Sequence, residues 1–321
     1  MATSSRAAAD ARWTAADLPD LRGRRAIVTG ANSGIGLATA RELARVGASV
    51  TLAVRDSVRG AAAADAMRAA HPGVDVQVGM FDLADLASIR DFSAAWSSDH
   101  PEGLDLLVNN AGVMALPRRE TADGFEMQLG TNHLGHFALT GLLLPALVAR
   151  PRSRVVTVSS TAHRMGRMHF DDLQSTRRYQ RWGAYGQSKL ANLLFTRELQ
   201  RRLDIHGIPM LSLAAHPGYA ATNLQAAGPR MDGRTWLVGP MELMNRVLAQ
   251  SADQGAWPTL FAATAPGLPG GSCIGPDGFL ETRGHPRIVK VAATATRSAD
   301  AQRLWTVSEE LTGVVYPFDQ P

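Results

Sequence analysis

From Arg24 onward the chain alternates short apolar runs, rich in β-branched residues, with longer stretches whose apolar positions recur at helical spacing. The short runs fit strands buried on both faces of a sheet, and the longer ones fit helices laid over it. Strands are predicted over 25–29 (RAIVT), 49–54 (SVTLAV), 74–79 (VDVQVG), 104–109 (LDLLVN), 154–159 (RVVTVS) and 209–215 (PMLSLAA). Helices are predicted over 34–46, 58–70, 86–96, 124–149 and 184–203. This alternation describes an α/β fold: a doubly wound parallel sheet flanked by helices on both faces, with ligands bound beyond the carboxyl ends of the strands. No repeat or low-complexity linker divides the chain, so residues 23–321 read as a single domain and residues 1–22 as an N-terminal arm at the surface.

The unusual chemistry falls just after the predicted strands. Behind the first comes TGANSGIG, in which Gly30, Gly34 and Gly36 let the backbone turn tightly and approach a pyrophosphate. The helix that follows offers free N–H groups and the positive end of its dipole to such an anion. Asn32, Ser33 and Ile35 complete this turn, whose G-x-x-x-G-x-G spacing departs from the common G-x-G-x-x-G fingerprint. The second strand ends in LAVRD, placing Arg55 where an NAD-preferring fold carries an acid on the ribose hydroxyls. A guanidinium there suits a 2′-phosphate, with Arg59 as a second contact, and the sequence therefore favours NADP(H) over NAD(H). The competing reading leaves both arginines solvated. Asp82, followed by Leu83, either accepts a bond from the adenine amino group or caps the next helix.

Charge and composition exclude more than they assign. Lys plus Arg outnumber Asp plus Glu by 33 to 29, without a basic stripe of the kind that tracks nucleic acid. The lone cysteine, Cys273, can form no internal disulfide, which favours a reducing cytoplasm. The longest apolar run, 137–149, is too short for a membrane span and contains Pro145, and the N-terminus lacks the apolar centre of a secretory signal. His133, His136, His163 and His216 have no cysteine or carboxylate neighbours at ligand spacing, so no metal site is expected. The pairs Asp171–Asp172 and Glu309–Glu310 read as exposed or capping charges.

In YGQSK, Tyr185 and Lys189 stand one helical turn apart and share a face, so a phenol oxygen and a cation can occupy one small space. A phenol ionises near ~10 in water, and a neighbouring ammonium favours the phenolate. The ordered set TGANSGIG, NNAG (109–112), TNHLGHF (131–137), VSS (158–160), YGQSK (185–189) and HPGYAAT (216–222) resembles the short-chain dehydrogenase/reductase family, which has a Rossmann-type fold. NSGIG, AVRD, FDDLQ, YGQSKLAN and RLWTVSEELTG, with the long gap from Ser160 to Tyr185, resemble its retinol dehydrogenase and protochlorophyllide reductase-like branch.

The resemblance implies a carbonyl reductase, reversible as an alcohol dehydrogenase, in which Tyr185 exchanges the proton and Ser160 hydrogen-bonds the substrate oxygen. Ser159 is the competing serine. Lys189 is implied to bind the nicotinamide ribose as well as tune the phenol, and Asn132 to hold a water that links Lys189 to solvent. An Asn in mid-helix can also simply face water. Asn109 either ties strands together or touches the cofactor's ribose, while Ala111 and Gly112 give close approach. Pro217 and Gly218 turn toward the nicotinamide, and Thr222 is placed to bond its carboxamide.

Residues 223–250, carrying Leu224, Met231, Trp236, Leu237, Met241 and Met244, read as a lid over a small hydrophobic substrate or as core and subunit contacts. Residues 163–179 are placed as the opposite wall. By analogy with the family, a homodimer or homotetramer would pair through the helices beginning near Gly124 and Ala184. Two rival readings keep the fold: a catalytically idle NADP-binding sensor, and epimerase or dehydratase chemistry. The intact Asn132, Ser160, Tyr185 and Lys189 argue against the first, and the short C-terminal portion against the second.

Overall fold

The computed structural model describes residues 12–219 and 250–318. Its strands are β1 (Arg25–Thr29), β2 (Ser49–Val54), β3 (Val76–Met80), β4 (Leu106–Asn109), β5 (Arg154–Val158), β6 (Leu211–Ala215), β7 (Cys273–Pro276) and β8 (Pro286–Ile288). They form one sheet in the order β3-β2-β1-β4-β5-β6-β7-β8. Pairing is parallel throughout except between β7 and the edge strand β8. Strand order reverses between β1 and β4, and a sheet of this kind opens a crevice at that point.

The helices are α1 (Gly34–Arg45), α2 (Ser57–Ala70), α3 (Leu86–Asp99), the single turn α4 (Met127–Leu129), α5 (Gly135–Leu142), α6 (Leu144–Val148), α7 (Arg181–Ile205), α8 (Ala252–Thr264) and α9 (Ser298–Thr312). Alternation along β1 explains how two layers arise from one strand. Ala26 and Val28 pack with Leu43 of α1, Ala64 of α2 and Leu260 of α8, whereas Ile27 faces Ile89 of α3, Phe137 of α5 and Phe195 of α7. A fully buried side chain of this size contributes roughly 1.5–3 kcal/mol. Burying both faces explains why the strands read as continuous apolar runs rather than as alternating ones.

The long helix expected over 124–149 is broken. Residues Gly130–Leu134 form a π-type turn, closed by the Gly135 N–H on the Gly130 carbonyl, and Pro145 starts α6 in its own first turn. Hydrophobic periodicity cannot register one extra residue in a turn, so the sequence shows a single helix where the chain makes four segments. The arm also differs from a surface appendage over its described part. Trp13 lies edge-on to Phe261 with ring centroids 5.3 Å apart, and Leu18 and Leu21 pack against the α1–α8 layer. Among the described residues no helix is long and apolar enough to cross a membrane.

Candidate active site

A cavity of about 920 Å³ opens over the carboxyl ends of the strands. Its floor begins at the glycine turn, where Gly30 (φ 66°) and Gly34 (φ 56°) adopt left-handed backbone. Gly36 has no room for a side chain: a Cβ would stand 2.5 Å from the Gly30 carbonyl and strike the Asn110 amide. The N-terminus of α1 is uncapped, since Ser33 makes no side-chain bond to it, whereas Asp56, Asp85 and Ser251 cap α2, α3 and α8 from their own side chains. The N–H groups of this first turn are therefore left for a ligand, and a pyrophosphate fits the donor set.

Asn32, Ser33, Ile35, Arg55, Arg59, Asp82, Leu83, Ala111 and Gly112 also line this cavity. Arg55 is exposed, with its guanidinium 3.8 Å from the Asp82 carboxylate. Asp82 does not cap α3. It accepts from the Ala84 N–H at 2.9 Å, and Asp85 takes the capping role through Ala87 and Ser88. Asn109 is fully buried and ties the layers together, donating to Thr140 Oγ1 at 3.0 Å. The neighbouring Asn110, which sequence reasoning passed over, lines the cavity and holds the glycine turn by donating to the Thr29 carbonyl at 2.8 Å.

At the other end Ser160, Tyr185 and Lys189 converge. Tyr185 and Lys189 are buried on one face of α7, with Nζ 5.8 Å from the phenol ring centroid. The Ser160 hydroxyl lies beside the phenol and favours its ionisation, and Lys189 donates to the Val158 carbonyl at 3.1 Å. Ser159 is spent elsewhere, donating to the Lys189 carbonyl at 2.8 Å. Trp182 stands edge-on to Tyr185 with centroids 6.1 Å apart and is half exposed at the mouth.

The electrostatics differ from the expectation of an acidified phenol. Burial pushes the Tyr185 phenol up to about 12, with the Ser160 hydroxyl pulling the other way, and burial brings the Lys189 ammonium down to about 8. In the protein alone, desolvation of both groups outweighs their attraction.

Asn132 does not face water. It is fully buried, and its amide is consumed by protein partners: Oδ1 accepts from the Val113 N–H at 2.8 Å, while Nδ2 donates to the Val113 carbonyl and to Ser188 Oγ, both at 2.9 Å. Ser188 in turn donates to the Tyr185 carbonyl at 2.8 Å. The side chain is thus a strap between the cavity wall and the Tyr185 turn, with both of its N–H groups spent on protein partners. Its carbonyl is within 3.1 Å of His136 Nδ1.

Pro217 and Gly218 line the Tyr185 end. Thr222 and the lid expected at 223–250 lie outside the described residues, apart from Gln250, whose N–H donates to the Tyr219 carbonyl at 3.0 Å. Of the insertion 163–179 only Met165 lines the cavity. Tyr179 instead braces it from behind, linked to Gln128, which accepts from the Ala115 N–H at 2.7 Å.

The four histidines each have separate partners: His133 meets Ser308, His136 meets Thr29, His163 meets Ser160, and His216 meets Glu281. Burial holds His133 and His136 neutral, each down to about 3.

The reversal of strand order, the uncapped glycine turn and a buried Ser–Tyr–Lys group in one crevice define a nucleotide-dependent oxidoreductase site. A family model for short chain dehydrogenase matches residues 24–232. The chain is 42% identical over 294 residues to human retinol dehydrogenase 12, covering 92% of this chain and 88% of that protein. It is also similar to the crystal structure of an uncharacterized protein from Mycobacterium paratuberculosis, with a TM-score of 0.79, 48% identity, and coverage of 96% and 100% of the two chains. A third likeness is the Pseudomonas aeruginosa RhlG/NADP active-site complex, at TM-score 0.62, 26% identity, and coverage of 82% and 98%. The chain belongs to the short-chain dehydrogenase/reductase family of oxidoreductases, in its retinol dehydrogenase branch.

Proposed function

We propose that the protein is an NADP(H)-dependent oxidoreductase that interconverts a small hydrophobic carbonyl compound and its alcohol. The observation that carries this reading is the burial of Tyr185 against Ser160 and Lys189 at one end of a crevice whose other end is the uncapped glycine turn. Gly30, Gly34, Gly36 and the first turn of α1 would hold the pyrophosphate, Arg55 and Arg59 the 2′-phosphate, and Lys189 the nicotinamide ribose. When bound, the nicotinamide supplies or accepts the hydride and, in its oxidised form, places a positive charge at this end of the crevice.

In the reductive direction Tyr185 donates the phenolic proton to the carbonyl oxygen as negative charge gathers there. Ser160 donates a hydrogen bond to the same oxygen and lowers the barrier further. Lys189, buried with no carboxylate partner among the described residues, stabilises the phenolate left behind. In the oxidative direction Tyr185 removes the alcohol proton and the same two groups serve in reverse. Asn132 acts by holding the Tyr185 turn of α7 in register through Ser188.

Met114, Met165, Trp182 and Tyr219 at the mouth support an apolar substrate, as does the name of the human relative, a retinol dehydrogenase. The preference for NADP(H) draws support from Arg55 and from the NADP in the Pseudomonas aeruginosa complex.

A panel of apolar aldehydes, ketones and alcohols with NADPH and NADH, followed by nicotinamide absorbance, tests the reading. Turnover is expected with NADPH. Arg55→Asp is expected to cut the NADPH preference about 10- to 100-fold, the worth of a charge-assisted contact. An unchanged preference would remove the arginine from the cofactor site, and no turnover with either coenzyme would remove the activity.

A further inference from the structure

One charged cluster at the Tyr185 end takes no part in the proton transfer described above. Glu281 accepts from Arg164 Nη2 at 2.8 Å through one carboxylate oxygen and meets His216 Nε2 at 3.0 Å through the other. Arg164 belongs to the single-turn helix Thr161–Met165, which begins at Ser160 and lines the cavity with Thr161, Ala162 and Met165. His216 follows β6 and starts the loop whose Pro217, Gly218 and Tyr219 form the facing wall. One carboxylate therefore bridges both walls.

The orientation of His216 follows from its partners. The Gly218 N–H donates to Nδ1 at 3.3 Å, so the proton sits on Nε2 and is donated to Glu281. The loop also rests on the Glu281 turn: the Tyr219 N–H donates to the Thr282 carbonyl at 2.8 Å, and a Cβ on Gly218 (φ 68°) would collide with that carbonyl. Leu280 (φ 51°) and Glu281 (φ 56°) are the only consecutive non-glycine residues in left-handed backbone among those described. Such a conformation persists where surrounding contacts over-determine it, and at Glu281 those contacts are Arg164 and His216.

We propose that Glu281 is a positioning residue that sets the spacing between the Ser160 wall and the Pro217–Tyr219 wall, and so the fit of the carbonyl substrate. This rests on the reading of the crevice as a hydride-transfer site. The clamp touches neither the glycine turn nor Arg55, so the phosphate contacts of the coenzyme stay in place when it is lost, and the change falls on the Tyr185 end, where Pro217 and Gly218 face the nicotinamide and the substrate. Glu281→Gln keeps the bond to Arg164 but turns an amide N–H toward the His216 N–H. Relief would require the other His216 tautomer, which leaves Gly218 without its acceptor.

The full chain and its Glu281→Ala, Glu281→Gln and Arg164→Ala/Glu281→Ala variants decide the matter through steady-state kinetics with an apolar aldehyde, NADPH affinity by fluorescence, and amide exchange by mass spectrometry. Glu281→Ala is expected to raise KM for the aldehyde about tenfold and lower kcat several-fold, with NADPH affinity held within about twofold. Exchange should quicken at least about tenfold in peptides covering 161–166 and 216–219 and stay unchanged over 25–36. Glu281→Gln should fall between, and the double variant should match Glu281→Ala because the contact is already gone. Unchanged KM and exchange in Glu281→Ala would overturn the proposal. So would loss of NADPH binding with faster exchange throughout, which marks general unfolding. If the intact protein reduces no aldehyde, the functional reading fails on its own, and the exchange pattern still accepts or rejects the clamp.

Discussion

At the glycine-turn end the cavity is walled by three strand-to-helix turns, each a few consecutive residues long: 29–36, 54–59 and 81–83. At the Tyr185 end the groups come from separate parts of the chain: Ser160 after β5, Tyr185 and Lys189 in α7, His216 after β6, and Glu281 beyond β7. The first end is shaped by backbone, through positive φ angles and a helix left uncapped. The second is shaped by side chains taken out of water and tied to one another. A local turn survives most changes elsewhere, whereas the Tyr185 end depends on every segment that meets there.

The largest expected effect lies at the side-chain end. Tyr185→Phe would remove the proton proposed for the carbonyl oxygen, and a general acid of this kind is worth about 10²- to 10⁴-fold in rate. Single-turnover reduction of an apolar aldehyde should slow by that factor while NADPH binding stays within about twofold. Loss of both together would erase the distinction between the two ends.

The converse break is Gly36→Ala. The added methyl meets the Gly30 carbonyl and the Asn110 amide, neither of which can retreat without opening the turn. Overpacking of this sort costs about 1–3 kcal/mol, so NADPH affinity should fall about 10- to 100-fold. The environment of Tyr185 should be untouched. Fluorescence titration of NADPH, beside an unchanged Tyr185 ionisation, checks both halves of that statement.

A smaller effect comes from the buried lysine. Its ammonium is brought from 10.5 down to about 8 by burial, so between those values the unfolded chain holds a proton that the folded one has lost. Stability attributable to this site therefore rises as pH increases from about 8 to 10.5, by roughly 3 kcal/mol at full extent. Thermal melts of the protein against Lys189→Met across that range should show the two curves drawing together as pH rises if the methionine variant is the more stable at neutral pH. A constant offset would contradict the burial.

The two ends also differ in how far they could be read without coordinates. β1 and β2 match their predicted limits residue for residue, because strands buried on both faces leave unbroken apolar runs. Gly30 and Gly34 were legible because left-handed backbone favours glycine whatever surrounds it, and Gly36 because the motif brings two backbone segments too close for a side chain. The strap formed by Asn132 was not: an Asn in a helix looks the same in sequence whether its amide faces water or bonds Val113 and Ser188.

β7 and β8, of four and three residues, offer too few positions for a pattern, and α8 hides behind the internal Pro258. Glu281 carried no local signal, since its partners Arg164 and His216 are brought to it only by the fold. Asn110 could have been found. The second position of NNAG is the one that faces the cavity, because Asn109 ends β4 pointing into the layer beneath.

In the proposed mechanism Tyr185 exchanges its proton in a site whose charge changes when coenzyme binds. Difference absorbance of phenolate, taken as the protein minus Tyr185→Phe, reads this residue alone across a pH titration. Without coenzyme the ionisation should fall near about 12, where burial places it. With NADP⁺ it should move downward by several pH units, because the positive ring favours the phenolate. An ionisation that stays at its coenzyme-free value with NADP⁺ bound would rule that mechanism out.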